Sequence, residues 1–313
     1  MTRVAGIGAG LVGSAWAFVF ARAGCDVAVY DQRGQEAWTQ TEALIRRTAA
    51  VLEADAAPVL DRIRFAATLE DSLNGVTHVQ ESIKEDVAVK RAAFAQIDAI
   101  APADAVLASS TSALLGSSFF DIPGAARALV AHPVNPPSLI PLVELCPTPA
   151  TDPGVVERTR AFMEEIGMKP VTLNREIEGF LLNRLQYTLV AEAMHLVGED
   201  YCSAADIDRV LTDGLALRWA TVGPFGVAHL NAKGGFQDFV DHLGGMMRRM
   251  GQSARTDYDW PEGLVAGIHA EMDGAMPVAD ATTWQQWRDA NIQATRGVQR
   301  DAAGRVPKSS GKA

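Results

Sequence analysis

The sequence feature that most constrains the fold is an uncharged run of 18 residues between Arg3 and Arg22. Its length is close to that of a transmembrane helix or a signal peptide. However, the run has a glycine at every second position from Gly6 to Gly10 and another at Gly13, and glycine is a poor helix former. We therefore interpret the run as a strand, a tight turn and a helix, not as a membrane segment.

The turn in this run has the pattern G-x-G-x-x-G. Between a strand and a helix, the three glycines permit a tight turn, the close approach of a pyrophosphate and close packing of the helix on the strand. The pyrophosphate is expected at the helix N-terminus, where free N–H groups and the helix dipole favour an anion. The pattern predicts a dinucleotide site formed by Gly8, Gly10, Leu11, Val12 and Gly13.

An acidic residue follows the turn at the spacing that such a site requires. Asp31 lies 23 residues after Gly8, at the end of a predicted strand Val27–Tyr30. A carboxylate at this position accepts hydrogen bonds from a ribose diol and repels a 2′-phosphate, which favours NAD over NADP. Arg33 is close enough in sequence to weaken that preference. The alternative interpretation is a glycine-rich turn with a structural aspartate.

Short apolar runs alternate with helical periodicity through the first 177 residues. Besides the strand Arg3–Ile7 and the helix Leu11–Ala23, the pattern predicts strands at Val76–Gln80, Val106–Ala108, Arg127–Ala131 and Leu142–Leu145, and helices at Gly34–Glu53 and Asp86–Ile100. This alternation predicts an α/β Rossmann-type, doubly wound parallel sheet with right-handed crossovers.

Long helical patterns replace the strands from about Glu178 onward. They predict helices at Phe180–Val197, from Ser203, where Ser203 and Asp206 form a capping box, and at Thr283–Arg296. We expect an NAD-binding domain over residues 1–177 and an all-α domain over residues 178–313. Its Lys/Ser/Gly-rich tail, from about residue 304, is predicted to be disordered.

Charge and cysteine content exclude several classes of function. The 28 basic and 38 acidic residues give a net charge of −10, whereas binding to a phosphate backbone needs a basic surface. Cys25, Cys146 and Cys202 lack metal-ligand spacing and favour a reduced, cytoplasmic compartment. The sequence has no C-x-x-C, no paired histidines flanking a glutamate and no G-x-S-x-G, so we expect neither a metal site nor a hydrolase of the nucleophile-elbow type.

A second group of polar residues lies near the ends of predicted strands, where ligands of open α/β sheets bind. His132 ends one strand and is suited to take a proton from an alcohol near neutral pH. Glu144, on the next strand, can orient that imidazole, and Ser112 can bind a substrate oxygen. On spacing alone, His132 is equally consistent with a structural histidine.

Together, these segments resemble the 3-hydroxyacyl-CoA dehydrogenase family over nearly the whole chain. The similar segments are Gly8–Gly13, Asp31, Glu85–Lys90, Ser110–Ser112, His132–Pro136, Leu142–Glu144 and Gly179–Leu185. Within the family, the chain is most similar to the lambda-crystallin and L-gulonate 3-dehydrogenase branch. That closer resemblance lies in Ala131–Pro137, Ile140–Leu145, Asn183–Tyr187 and Gln286–Asp289.

The resemblance implies a role for each candidate residue. It makes His132 the general base paired with Glu144, and gives Ser112 and Asn183 the substrate hydroxyl and its neighbouring carbonyl. Near the nicotinamide half of NAD it places Glu85, Lys90, Ser112 and Asn135. For Glu85 and Lys90 the alternative is a solvated helix start and a surface charge. The resemblance also implies a homodimer formed through the helical domain.

One departure from the family bears on the substrate. The family's segment after the second strand is longer and Lys-rich and helps to hold CoA. Here, Gly34–Leu69 has no lysine, and its basic residues are Arg46, Arg47, Arg62 and Arg64. We therefore expect a small free 3-hydroxy acid, such as the sugar acid L-gulonate, to be oxidised to its 3-keto acid.

Arg218 is a candidate for binding the carboxylate of such an acid, because arginine binds carboxylates through two parallel hydrogen bonds. A surface or structural ion pair is an equally good interpretation. Three other functions stay open: a 3-hydroxyacyl-CoA dehydrogenase, a dehydrogenase of carnitine-like hydroxy acids, and a non-catalytic NAD-binding structural protein of the lens-crystallin kind.

Overall fold

A computed structural model of the chain describes residues 2–305. The chain divides between Arg184 and Leu185 into two compact units. The first unit contains an eight-stranded sheet, and its strands are β1 Arg3–Ile7, β2 Asp26–Tyr30, β3 Ile63–Phe65, β4 His78–Glu81, β5 Val106–Ser109, β6 Ala128–Pro133, β7 Leu142–Pro147 and β8 Lys169–Thr172. Their order across the sheet is β3-β2-β1-β4-β5-β6-β7-β8.

The predicted α/β architecture is confirmed, but the sheet is not wholly parallel. Strands β1 to β6 pair in parallel, whereas β6 and β7 pair antiparallel. A parallel pair needs a crossover of about a dozen or more residues, and the proline-containing loop 134–141 between β6 and β7 is too short to supply one. The amino end of β7 therefore meets the carboxyl ends of the parallel strands. The expectation that Glu144 lies at a carboxyl strand end is wrong for this reason.

Helices cover both faces of the sheet. Those that precede the second unit are α1 Leu11–Arg22, α2 Gln35–Val51, α3 Ala57–Leu60, α4 Leu69–Leu73, α5 Val87–Ile100 and α6 Pro153–Glu165. The sequence patterns did not predict β3, β8, α3, α4 or α6. On one face of the sheet, helices α1, α2 and α6 enclose an apolar cluster, and on the other face α5 and the segment around Phe119 enclose a second.

Helix α1 shows why these residues form a buried helix. Trp16 and Phe20, four residues apart, lie on the same side and stack with ring centroids 5.1 Å apart. Both are fully buried, and burial of such a side chain contributes roughly 1.5–3 kcal/mol. The helix ends where Gly24 takes a left-handed conformation (φ +95°), and the Cys25 amide donates to the Phe20 carbonyl, as in a Schellman motif. After this tight helix end the chain continues directly into β2, which pairs with β1.

The second unit is helical, as predicted. Helix α7 Leu182–Gly198 begins at the end of the first unit, and it is followed by α8 Ala204–Arg209, a π-helical segment Val210–Leu215, α9 Ala216–Trp219, α10 Pro224–Leu230, α11 Gly235–Ser253, α12 Leu264–Ala275 and α13 Ala281–Ala303. The predicted cap at Ser203 is confirmed, since its hydroxyl accepts the Asp206 amide. Most of the tail that is predicted to be disordered, residues 306–313, lies outside the described residues.

The second unit differs from the first in its burial. Among residues 185–305, only Gly235 and Gly244 are buried. Large apolar side chains that are more than two-thirds exposed include Leu185, Leu217, Phe225 and Leu230. In the part of the chain that the structure describes, no helix combines the length and apolar character needed to cross a membrane.

Candidate active site

The glycine turn after β1 leaves open space where an anion is expected. Gly8 has φ +95°, and a Cβ atom there would lie 2.6 Å from the carbonyl oxygen of Ser82. At Gly13 a Cβ atom would clash with the carbonyl oxygen of Gly8, whereas at Gly10 it would meet nothing within 4 Å. No side chain caps helix α1 at this end. The turn therefore fits a pyrophosphate, which would bind the amides around Leu11 and Val12.

Asp31 lies at the end of β2, beside this turn. Its Oδ2 accepts the Ala9 amide at 2.8 Å, and Arg33 reaches both carboxylate oxygens at 3.0 Å. Burial raises the pKa of Asp31, but the hydrogen bonds from Arg33 and from the Ala9 and Arg33 amides outweigh it and hold the pKa below its ordinary value. The carboxylate is therefore ionised at neutral pH and fits the ribose diol of a dinucleotide, with Arg33 beside it.

His132 and Glu144 form a buried pair across the antiparallel strands. They are direct cross-strand partners in the β6–β7 register, and His132 Nδ1 lies 2.9 Å from Oε2 of Glu144. An imidazole that donates from Nδ1 to a carboxylate presents Nε2 as a proton acceptor. The antiparallel pairing of β6 and β7 thus creates the arrangement required of a general base and its orienting acid.

The second oxygen of Glu144 binds the start of helix α7. Oε1 accepts the amides of Leu181 and Leu182 at 2.8 and 2.9 Å. Burial raises the pKa of Glu144, but the hydrogen bonds from His132 and from these two amides lower it by more, so the pKa lies below its ordinary value. Glu144 is therefore an anion with all its partners supplied by His132 and the helix start.

Two left-handed residues make this arrangement possible. Gly179 has φ +72°, and Phe180, which is not a glycine, has φ +50°. The bend turns the next amides toward Glu144 and packs the buried Phe180 ring against His132, with ring centroids 5.2 Å apart. Sequence reasoning missed Phe180, because an apolar residue at the start of a helical pattern looks like part of the helix.

Ser112 lies on a turn whose backbone is held on both sides. Oε1 of Glu85 accepts the Thr111 hydroxyl at 2.6 Å and the amides of Ser112 and Ala113 at 2.8 and 3.2 Å. On the other side, Asn183 Nδ2 donates to the Ser112 carbonyl at 2.7 Å. The structure therefore brings Ser112, Asn183 and Glu85 together, and Ser112 itself is exposed.

Lys90 is buried, so the interpretation of it as a surface charge is wrong. Its side chain is 1% exposed and its Nζ lies 2.8 Å from Oε1 of Glu81 and 3.4 Å from Oε2 of Glu85. Glu81, at the end of β4, was missed by sequence reasoning because it lies one residue beyond the predicted strand Val76–Gln80. Asn135 is exposed on the loop after β6. Arg218 is exposed in α9 of the second unit, directly after the π-helical segment.

The described residues contain no group of three or more His, Cys, Asp or Glu side chains that could hold a metal ion. The cysteines in this part of the chain are free. Burial raises the pKa of Cys25 to about 11 and that of Cys146 to about 12, so both thiols are protonated and unreactive at neutral pH.

Residues 3–177 match the family model for the NAD-binding domain of 3-hydroxyacyl-CoA dehydrogenase, and residues 179–271 match the model for its C-terminal domain. The chain belongs to the 3-hydroxyacyl-CoA dehydrogenase family, whose members are NAD-dependent dehydrogenases that act on CH–OH groups. NAD is the cofactor of its first domain.

Similar curated proteins include a lambda-crystallin homologue from Bos taurus, which is 39% identical and covers 91% of this chain and 92% of its own. An L-carnitine dehydrogenase from Streptomyces griseus is 36% identical and covers 99% of this chain and 92% of its own.

Solved structures show the same fold. A 3-hydroxybutyryl-CoA dehydrogenase from Escherichia coli has a TM-score of 0.64 at 26% identity, covering 82% of this chain and 54% of its own. An NAD+-dependent 5-formyl-3-hydroxy-2-methylpyridine 4-carboxylic acid 5-dehydrogenase has a TM-score of 0.80 at 22% identity, covering 96% of this chain and 99% of its own.

Proposed function

We propose that this protein oxidises the 3-hydroxyl group of a small free hydroxy acid, such as L-gulonate, to the 3-keto acid with NAD. The observation that carries the proposal is the buried pair of His132 and Glu144, 2.9 Å apart at the edge of the sheet where β5 and β6 end. Ser112 and Asn183 are hydrogen-bonded to each other at this edge. The four residue types together provide a base, its orienting acid and two polar groups for substrate oxygens.

In this proposal each residue has one task. His132 accepts the hydroxyl proton at Nε2, since its Nδ1 is engaged by Glu144. Glu144 stays ionised and stabilises the imidazolium that forms. Ser112 and Asn183 hold the substrate hydroxyl and the neighbouring carbonyl. NAD, held by the glycine turn and Asp31, supplies the hydride acceptor, and Glu85, Lys90 and Asn135 lie on the nicotinamide side of that site.

The test of the general base is the variant His132→Ala. General acid–base catalysis contributes typically ~10²–10⁴-fold, so turnover should fall by that order while NADH affinity, measured by fluorescence titration, stays near that of the wild type. The exposed His269 offers a matched control in His269→Ala. Near-wild-type turnover of the His132 variant, or loss of NADH binding, contradicts the assignment.

The free-acid substrate rests on the absence of lysine in residues 34–69. The arginines that remain there are already engaged in part, since Arg46 pairs with Glu42 and Arg64 with Asp71. Arg218 is exposed and, among the described residues, its guanidinium has no ion-pair partner. We assign it to the substrate carboxylate.

A substrate screen separates this proposal from its rivals. NADH formation is measured with L-gulonate, 3-hydroxybutyrate, L-carnitine and 3-hydroxybutyryl-CoA under identical conditions. The highest kcat/KM on a free sugar acid or short hydroxy acid supports the proposal. Preference for L-carnitine or for the CoA thioester moves the protein to those activities, and absence of turnover with NADH binding retained favours a structural NAD-binding protein.

We also propose a homodimer through the second unit. Leu185, Phe225 and Leu230 are each more than 70% exposed, and large apolar side chains left exposed mark an interface where they form one patch. We assign a second copy of this chain as the occupant because the resemblance to the family implies it. Sedimentation velocity should give a dimer mass, and Leu185→Glu with Phe225→Glu should shift it to the monomer. A monomeric wild type contradicts the proposal.

The free cysteines of the described residues support a further part of the proposal, namely a reducing, cytoplasmic compartment.

A further inference from the structure

Two oppositely charged side chains, Glu81 and Lys90, are fully buried behind the Ser112 turn. Their side chains are 0% and 1% exposed. Lys90 Nζ donates to both oxygens of Glu81, at 2.8 and 3.0 Å. Glu81 also accepts the Ile83 amide at 2.6 Å and the Ser109 hydroxyl at 2.5 Å. The two carboxylate oxygens of Glu81 therefore accept four hydrogen bonds in all.

The stability of the fold does not by itself explain such a pair. Removing two charges from water costs several kcal/mol per ion, and apolar residues of similar volume are often as stabilising as a buried ion pair. A buried pair of this kind is better explained by what it holds in place.

The contacts of this pair lead directly to Ser112. Lys90 Nζ also lies 3.4 Å from Oε2 of Glu85, and the other oxygen of Glu85 accepts the amides of Ser112 and Ala113. At the start of the same turn, Ser109 is the register partner of Glu81 between β5 and β4. Two carboxylates bridged by one lysine thus fix both ends of the turn from residue 109 to residue 113.

We propose that Glu81 is a positioning residue of the active site, which fixes Lys90 and, through it, Glu85 and the backbone of Ser112. The proposal rests on the assignment of Ser112 to the substrate under the proposed function. Glu81 touches neither substrate nor cofactor in this scheme. It sets where the Ser112 hydroxyl lies, and a displacement of about 1 Å in such a group can lower turnover by ~10²-fold.

The variant Glu81→Gln keeps the shape of the side chain and removes its charge. Lys90 is then left with Glu85 as its carboxylate partner in the contacts described above, and it competes with the Ser112 and Ala113 amides for that carboxylate. The matched control is Asp98→Asn. Asp98 forms a largely buried ion pair with Arg127. This pair lies next to the start of β6, at the amino ends of the parallel strands, whereas the Ser112 turn follows their carboxyl ends.

Two measurements compare the variants with the wild type. Hydrogen exchange of the peptide covering residues 110–115, followed by mass spectrometry, needs no substrate and should be faster in Glu81→Gln but unchanged in Asp98→Asn. Turnover of the best substrate in the screen should fall about 10–100-fold in Glu81→Gln, whereas Asp98→Asn should lower thermal stability and keep its kcat. Because the exchange measurement is independent of substrate, its result stands even if the proposed activity fails.

The opposite result overturns the proposal. If exchange of residues 110–115 and kcat in Glu81→Gln match those of Asp98→Asn, the pair is structural only. Should Glu81→Gln fail to fold, Ser109→Ala removes one hydrogen bond from Glu81 and should give the same two effects at smaller size. Because it also removes the acceptor of the Thr111 amide, exchange is then compared at the Ser112 and Ala113 amides, which Glu85 holds. Unchanged exchange and kcat in folded Ser109→Ala would likewise refute the role of Glu81.

Discussion

The variant Glu144→Gln tests whether the candidate base depends on its orienting acid. Oε1 of Glu144 accepts two backbone amides, from Leu181 and Leu182, and Oε2 faces His132. Glutamine has one oxygen and one NH₂ group. Its oxygen must stay with the two amides, since the NH₂ group there would oppose two donors. The NH₂ group therefore faces Nδ1 of His132.

This orientation selects the wrong tautomer of His132. To accept from the NH₂ group, Nδ1 must be unprotonated, so the proton of the neutral imidazole moves to Nε2. Nε2 then has no lone pair to accept the substrate proton. We expect turnover to fall by ~10²–10⁴-fold, the whole contribution of a general base, even though His132 is still present.

Stability separates this loss from damage to the fold. Glu144→Gln keeps both amide contacts at reduced strength, because hydrogen bonds to charged groups are worth ~1.5–3 kcal/mol and neutral ones ~0.5–1.5 kcal/mol. Glu144→Ala leaves the Leu181 and Leu182 amides unpaired, at a cost of ~1–3 kcal/mol each. The alanine variant should thus be much less stable than the glutamine variant.

The assay combines stopped-flow NADH formation with urea unfolding. A loss of turnover in Glu144→Gln at least as large as that in Glu144→Ala, together with a smaller loss of stability, supports the reasoning. Turnover of Glu144→Gln within about threefold of the wild type would refute it, because no general base should survive that exchange.

Three further outcomes are expected. Asp31→Ser should weaken NAD binding by ~10–100-fold, the effect of losing charged hydrogen bonds. In affinity titrations it should also reduce the preference for NAD over NADP. Adding Arg33→Ala to this variant should cancel the reduced preference. Burial lowers the pKa of His78 to about 4. Below pH 6.5 the unfolded chain therefore binds a proton that the folded chain does not, and urea unfolding should show a loss of about 3 kcal/mol between pH 7 and pH 4 that is absent in His78→Phe. Arg218→Met should cost ~1.5–3 kcal/mol in kcat/KM for a hydroxy acid and little for its uncharged ester, and equal losses on acid and ester would show that Arg218 is structural.

The parts of the fold that depend on local chemistry could be predicted from the sequence. The turn at Gly8 to Gly13 could be predicted because its first and last glycines leave a local signature: a side chain at Gly8 or Gly13 would clash with the backbone of Ser82 or Gly8. The long helices α1, α2, α5 and α7 were predicted because apolar periodicity decides which face of each is buried. Strands β3 and β8 were not predicted because each is short and contains a charged residue, Arg64 in β3 and Lys169 in β8.

The parts that depend on long-range pairing could not be predicted. His132 and Glu144 were singled out, but the contact between them depends on the reversal of β7, which follows from the length of loop 134–141. The burial of Lys90 depends on Glu81, on another strand, whose charge no local pattern could place inside the fold. The left-handed conformation of Phe180 is likewise fixed by the packing of its ring on His132.

The same distinction explains the second unit. Periodicity in α7 predicted a helix with an apolar face, and the helix is present. Periodicity does not state what covers that face, and Leu185 in this helix is 75% exposed. In the first unit the apolar face of α1 is covered by residues of the same chain, such as Phe162. Residues 185–305 bury only two glycines, so their helices cannot derive comparable stability from the chain alone. A second copy of the chain, as in the homodimer proposed above, would supply the apolar contacts that these helices lack.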